Sequence, residues 1–112
     1  MVAIVRPATA SDLAAVCDIW YDAESTGDSD PPPRPEVPPF FRYELETGEM
    51  YVVEQYDRAL GFVSLLTRAS VCYIAEFFVR GDCQSAKIGG TLLRKVLPHG
   101  PGDALACVCA AV

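Results

Sequence analysis

Apolar residues recur along this chain with two different periods, and the switches between them mark out the elements. Val2–Arg6 is a short apolar run ended by Pro7 and predicts a strand. Thr9-Ala10-Ser11-Asp12 follows, a hydroxyl with an acid three positions on. That is the arrangement of a capping box, with Asp in place of the usual Glu or Gln. Leu13, Val16, Cys17 and Trp20 then recur at spacings of three and four, predicting an amphipathic helix to about Ala23. Between Ser25 and Pro39 stand Gly27 and six of the nine prolines, Pro31–33, Pro35, Pro38 and Pro39. Proline fixes φ and removes a donor, so this stretch reads as a stiff, irregular loop. Too few residues precede it to form a domain, and it belongs within one. Phe40–Glu46 predicts a short second helix stopped near Gly48.

Met50–Tyr56 and Arg58–Thr67 read as two strands joined tightly at Asp57, an antiparallel hairpin. Val71–Val79 is a third strand of that series, apolar on both faces and therefore central. Ile88–Leu97 carries apolar residues at 88, 92, 93, 96 and 97, a helical period ended by Pro98. After the turn His99-Gly100-Pro101-Gly102, Leu105–Val112 is apolar throughout and predicts a last strand. The order is β-α-α-β-β-β-α-β. It implies an α+β domain with a mixed, mostly antiparallel sheet and flanking helices on both faces.

Composition narrows the picture. With 51 per cent hydrophobic and 21 per cent charged residues in 112, the chain suits one folded domain and not a disordered tail. The net charge of −6 argues against nucleic acid as the main partner, because phosphate binding needs a basic face, and it is compatible with a cationic amine. Five cysteines are present without a Cys-x-x-Cys, and the one histidine is His99. They read as reduced thiols packed as small apolar side chains, with no metal site. Cys107 and Cys109 share a face of the last strand, but no further ligands stand near them. The first residues lack the pattern of a signal peptide, and the apolar end is too short to span a bilayer. These features lead to the expectation of a soluble, cytoplasmic protein.

Candidate chemistry concentrates in Phe77-Phe78-Val79-Arg80-Gly81-Asp82-Cys83-Gln84-Ser85-Ala86-Lys87-Ile88-Gly89-Gly90. A buried strand passes through a small-residue loop into a helix opened by two glycines. The first N–H groups of a helix are unpaired and lie at its positive end, so such a loop can hold a phosphate. Gly89 and Gly90 let a ligand approach the backbone closely. Arg80, Lys87, Arg94 and Lys95 face only one acid, Asp82, in this region of an acidic chain. A plain strand–helix connection, in which the glycines only make the turn, is the competing reading. Comparison with the nucleotide P-loop fails at two positions, Ala86 where glycine belongs and Ile88 where a hydroxyl belongs.

The segment resembles motif A of the GNAT acetyltransferases, Gln/Arg-x-x-Gly-x-Gly/Ala, with Gln84-Ser85-Ala86-Lys87-Ile88-Gly89 in its place and Lys87 where the first glycine stands. The element order and the opening Arg6-Pro7-Ala8-Thr9 with Asp12 are similar to that family too, so the resemblance covers essentially the whole chain. It implies an acyl-CoA N-acyltransferase fold in a single domain, 1–112, that stops before the family's usual C-terminal helix and hairpin. It further implies acetyl-CoA as co-substrate, main-chain groups of Phe78 and Val79 pairing with the pantetheine arm, and amides of Gln84, Ser85, Ala86, Lys87, Ile88, Gly89 and Gly90 holding the pyrophosphate. The acyl group would pass to an amine of a small molecule or protein. The contrary class is a non-catalytic CoA-binding or protein-interaction module.

Glu76 is the only charge within Val71–Val79. Burial favours the neutral form of a carboxyl and raises its pKa toward the range of a general base, the role the resemblance suggests for an acid on this strand. A carboxylate paired with arginine or facing solvent is the structural alternative. Tyr73 shares the strand. Glu24, Asp28, Asp30 and Glu36, in or beside the proline loop, either attract a cationic substrate or merely solvate the loop. An apolar Leu105–Val112 at a sheet edge also implies a homodimer through that strand.

Overall fold

Short apolar segments bring Ile4–Pro7 (β1), Glu49–Gln55 (β2), Arg58–Arg68 (β3), Val71–Val79 (β4) and Leu105–Val108 (β5) into one sheet, in the order β1-β2-β3-β4-β5. This computed structural model describes residues 3–68, 71–81, 87–96 and 105–108. β1 to β4 pair antiparallel, while β4 and β5 run parallel, the one pairing that needs a crossover helix. That helix is Ile88–Val96 (α3), and Leu13–Ser25 (α1) and Pro39–Thr47 (α2) come earlier in the chain. The mixed α+β sheet and the expected element order are therefore both observed. Among the described residues no helix is long and apolar enough to cross a membrane.

The sheet is buried on both faces. On one, Leu13, Val16 and Ile19 of α1 and Phe41 of α2 pack on Met50, Val52 and Phe62. On the other, Ile88 and Leu92 of α3 pack on Val53, Val63, Leu65 and Ile74. Phe41 and Phe62 are wholly buried and stand edge to face at 5.8 Å. Burying a side chain of that size contributes up to about 3 kcal/mol, so this contact anchors the helical layer to the sheet.

Local chemistry sets the junctions. Arg6 on β1 donates to both oxygens of Asp12 and to Glu54 on β2, each ion pair at 2.9 Å. Asp12 in turn accepts the Thr9 N–H at 2.7 Å, the acid's half of the expected box. The box closes a 3-10 turn at Ala10–Asp12 that leads into α1, which runs on to Ser25 rather than ending near Ala23. The hairpin between β2 and β3 turns on Tyr56 and Asp57, with φ of 55° and 62°, as a two-residue turn with both centres left-handed requires.

The proline loop is strapped to α1. The Tyr21 hydroxyl donates to the Pro32 carbonyl, Arg34 pairs with Asp18, and the Cys17 thiol reaches the Pro35 carbonyl. α2 then starts with Pro39 in its first turn, where a missing N–H costs nothing. It ends at Gly48, where a Cβ would stand 2.2 Å from the Leu65 carbonyl oxygen. Only glycine lets the chain turn so close over β3 into β2.

Candidate functional site

Among the described residues β5 accompanies β4 only along Val71–Ile74. Beside the remainder of β4 opens a cleft of ≈ 330 Å³, lined by Phe77, Phe78 and Val79 of β4, Lys87, Gly89 and Gly90 at the start of α3, and Ala23 of α1. The Thr91 N–H donates to the Lys87 carbonyl at 3.2 Å, the first turn of α3. The N–H groups of Ile88, Gly89 and Gly90 precede it, at the positive end of the helix, where no carbonyl of the helix can reach them. α3 lies tight on β4: a Cβ on Gly89 would meet Cζ of Phe77 at 3.0 Å.

Lys87 has φ of 61°. A left-handed conformation costs an L-residue about 1–2 kcal/mol and glycine almost nothing. The backbone at Lys87 thus has a shape that favours glycine, at the position where the resembling motif has its first glycine. Here the chain accepts that strain and gains an exposed ammonium in the cleft wall. Arg80 is committed elsewhere: Nε donates to the Ala59 carbonyl at 2.7 Å and its guanidinium faces Asp22 at 3.7 Å.

Across the sheet from α3, β4 carries a different environment. Ser64 of β3 stands opposite Glu76, and the next pair is Leu65 with Ile74, so Ala75 is an extra residue. This β-bulge breaks the alternation. Ile74 is thereby turned into the α3 core, and Glu76 lies on the face of α1 and α2, with Tyr73 and Phe78. Glu76 is half-buried and its carboxyl is pushed up to about 7, first by loss of water, then by the charges of Glu44 and Glu24. Glu44 of α2 is 7 % exposed and is also raised, chiefly by burial; the nearby Ser64 hydroxyl offsets part of that rise. The approach closes no hydrogen bond of good geometry, and among the described residues neither Oε1 of Glu44 nor Oγ of Ser64 has a partner.

Of the residues expected at the cofactor loop, Phe78, Val79, Lys87, Gly89 and Gly90 are brought together in the one cleft. The Ile88 side chain is turned into the core, 8 % exposed, which leaves its main chain for binding. Gln84, Ser85 and Ala86 lie outside the described residues, as do His99 and Cys109–Val112. Glu76 is not in the cleft wall; Phe78, packed on Phe62 at 5.8 Å, separates the two regions and belongs to both. Among the described residues the charges that act on Glu76 are those of Glu44 and Glu24. Sequence reasoning missed Glu44 and Ala23. For Glu44 a signal existed, since it follows Phe41 by three positions and so shares the inward face of α2. Among the described residues no group of acids, cysteines or histidines could hold a metal ion.

Comparison with known proteins adds to this geometry. An acetyltransferase-assigned chain from Pyrococcus horikoshii superposes with a TM-score of 0.72 at 25% identity, over 84% of this chain and 33% of its own. A Clostridium difficile 630 structure described likewise gives 0.76 at 11%, over 99% and 81%. A GNAT family acetyltransferase from Brucella melitensis, in complex with acetyl-CoA, gives 0.66 at 16%, over 84% and 65%. The chain thus spans a third of the first of these and under two thirds of the last. No curated protein matches it in sequence. The family described as Acetyltransferase (GNAT) family matches residues 13–111. A match of that extent, over a sheet and cleft of this form, means that the chain belongs to the GNAT acetyltransferase family.

Proposed function

We propose that this chain is the working part of an N-acetyltransferase, a single domain over residues 1–112 that moves an acetyl group from acetyl-CoA to an amine. The observation that carries the reading is the cleft between the Phe77–Val79 end of β4 and the first turn of α3. Its dimensions, its glycine floor and the Lys87 ammonium suit a slender chain ending in a diphosphate. Bound there, acetyl-CoA supplies an activated thioester carbonyl. The first amides of α3 hold the diphosphate, the β4 main chain at Phe78 and Val79 aligns the pantetheine, and the Phe77 and Phe78 rings exclude water from the cleft.

Glu76 is the proposed base. With its carboxyl near 7, a useful fraction is ionised at neutral pH and still basic enough to take a proton from an ammonium. The amine lone pair then forms the C–N bond as the thioester C–S bond breaks. One proton leaves the nitrogen to Glu76 and a second ends on the thiolate, giving amide and thiol. Glu24 and Glu44 add negative charge on the acceptor side, which favours a cationic acceptor. Cys17, buried and unbridged, supports a reducing compartment such as the cytoplasm.

Isothermal titration with acetyl-CoA on the wild type and Gly89→Glu tests the first half. Binding is expected in the former and a loss of about tenfold or more in the latter, because the new side chain meets Phe77 and places a negative charge at the phosphate site. Thiol release with a panel of amines tests the second. Binding without release on any amine would make this a CoA-binding module instead.

A further inference from the structure

Glu44 enters the mechanism above only as negative charge, yet it is the most buried carboxyl described. It sits on the inward face of α2 at 7 % exposure, and its Oε1 has no hydrogen-bond partner among the described residues. Below it, Ser64 of β3 is wholly buried with an unpartnered Oγ, and directly across the ladder from Ser64 is Glu76. A buried carboxylate with an unpartnered oxygen is costly, and a second carboxylate near it makes it more so. Two such groups in one site lower the cost by holding a proton.

We propose that Glu44 is a positioning residue for Glu76: together with Ser64 the two glutamates form a partly buried pair that carries one proton between them. The idea rests on the reading of Glu76 as the base. The groups that face Glu76 support it from each element packed there. α1 presents Glu24, α2 presents Glu44, β3 presents the neutral Ser64, and β4 itself presents Tyr73 and Phe78; the charges acting on Glu76 are those of Glu44 and Glu24. As a protonated acid, Glu44 gains a donor for the Ser64 Oγ beside it, which gives both orphaned atoms a partner. When Glu76 takes the proton of an acceptor ammonium, the pair passes from one proton to two, and one then returns to solvent. Glu44 thereby keeps Glu76 basic at neutral pH without touching the reacting atoms.

Carbon-13 NMR titration of the glutamate side-chain carboxyls, on the whole chain, tests this without any need for turnover. In the wild type the Glu44 and Glu76 resonances should each show two steps. Glu44→Gln, which keeps the shape, should move the Glu76 midpoint down by about one pH unit, and Glu76→Gln should move Glu44 down by a similar amount, since the coupling is reciprocal. The acidic limb of the kcat/KM profile for an amine should follow the first shift, with the acetyl-CoA Kd unchanged. Single-step, mutually indifferent titrations overturn the pair. Should Glu44→Gln fail to fold, the Glu76→Gln arm decides alone. A protein that acetylates no amine but shows the coupled titration would refute the base and leave the pair intact.

Discussion

Gly89 is laid so closely on Phe77 that a Cβ there would stand 3.0 Å from the ring's Cζ. The distance between α3 and β4, and hence the width of the cleft beside them, is set by that missing atom. Gly89→Val should push the helix outward, destabilise the domain by about 1–3 kcal/mol and weaken acetyl-CoA binding by roughly tenfold or more. Chemical denaturation and titration calorimetry measure the two effects. A stable variant with unchanged affinity would separate the cleft from the helix contact.

Lys87 is a second place where side chain and backbone disagree. Lys87→Gly removes about 1–2 kcal/mol of left-handed strain, but glycine loosens the unfolded chain by roughly half that. A net gain of about 0.5 kcal/mol is expected, read as a small rise in Tm. Acetyl-CoA affinity should fall several-fold at low salt and the difference should shrink as salt is added, because what is lost is a point charge. A variant that is less stable would refute the strain.

The raised carboxyl of Glu76 makes stability depend on pH. Its folded pKa of about 7 exceeds the ordinary 4.5, so its contribution is fully present below about 4.5 and lost as the pH rises through about 7. Asp12 and Glu54, held below their usual range mainly by hydrogen bonds to Arg6, act in the opposite sense and fail as the pH falls through the acid range. Glu76→Gln should therefore gain stability relative to the wild type as the pH is raised from about 5 to about 8. Urea unfolding at both values gives the comparison, and an equal difference at both would show that Glu76 is not perturbed.

Arg6 joins three elements through two carboxylates. Arg6→Met keeps the apolar stem but strands Asp12, whose remaining donors among the described residues are at Thr9. A loss of about 1–2 kcal/mol is expected, with hydrogen exchange accelerated first in β1 and in the turn before α1. Uniform acceleration along the sheet would mean that the network does not act locally.

Much of this could be read from the sequence, for reasons that differ by element. The helices follow from a period of about 3.6, β4 and β5 from runs apolar on both faces, and Pro39 and Gly48 bound α2 by their own backbone limits. The cleft was legible because Phe78, Val79, Lys87, Gly89 and Gly90 are close in sequence. The acid side was not. Glu44, Ser64 and Glu76 meet only through tertiary packing, and Ala75 carries no mark of a bulge, since nothing about an alanine says that its partner strand lacks a residue. The shape at Lys87 was hidden because lysine is among the residues least expected there. Arg80, counted with the cations of the loop, proved to be bound to the β2–β3 hairpin through Ala59.

Ile74, the last residue of β4 that pairs with β5 among the described residues, directly precedes the extra Ala75. A bulge bends its strand, so the bend falls between the residues of β4 that pair with β5 among the described residues and the Phe77–Val79 stretch that lines the cleft. Drawn into regular pairing, Ala75 would invert everything before it and bring Ile74 among the glutamates. Removed altogether, it would leave Ile74 and Glu76 on the faces they now occupy and straighten the strand between them. Which side chains meet the glutamates is in that sense a matter of counting: one surplus methyl-bearing residue, with no reactive group, sorts the two faces of β4 and puts a crook just before the cleft.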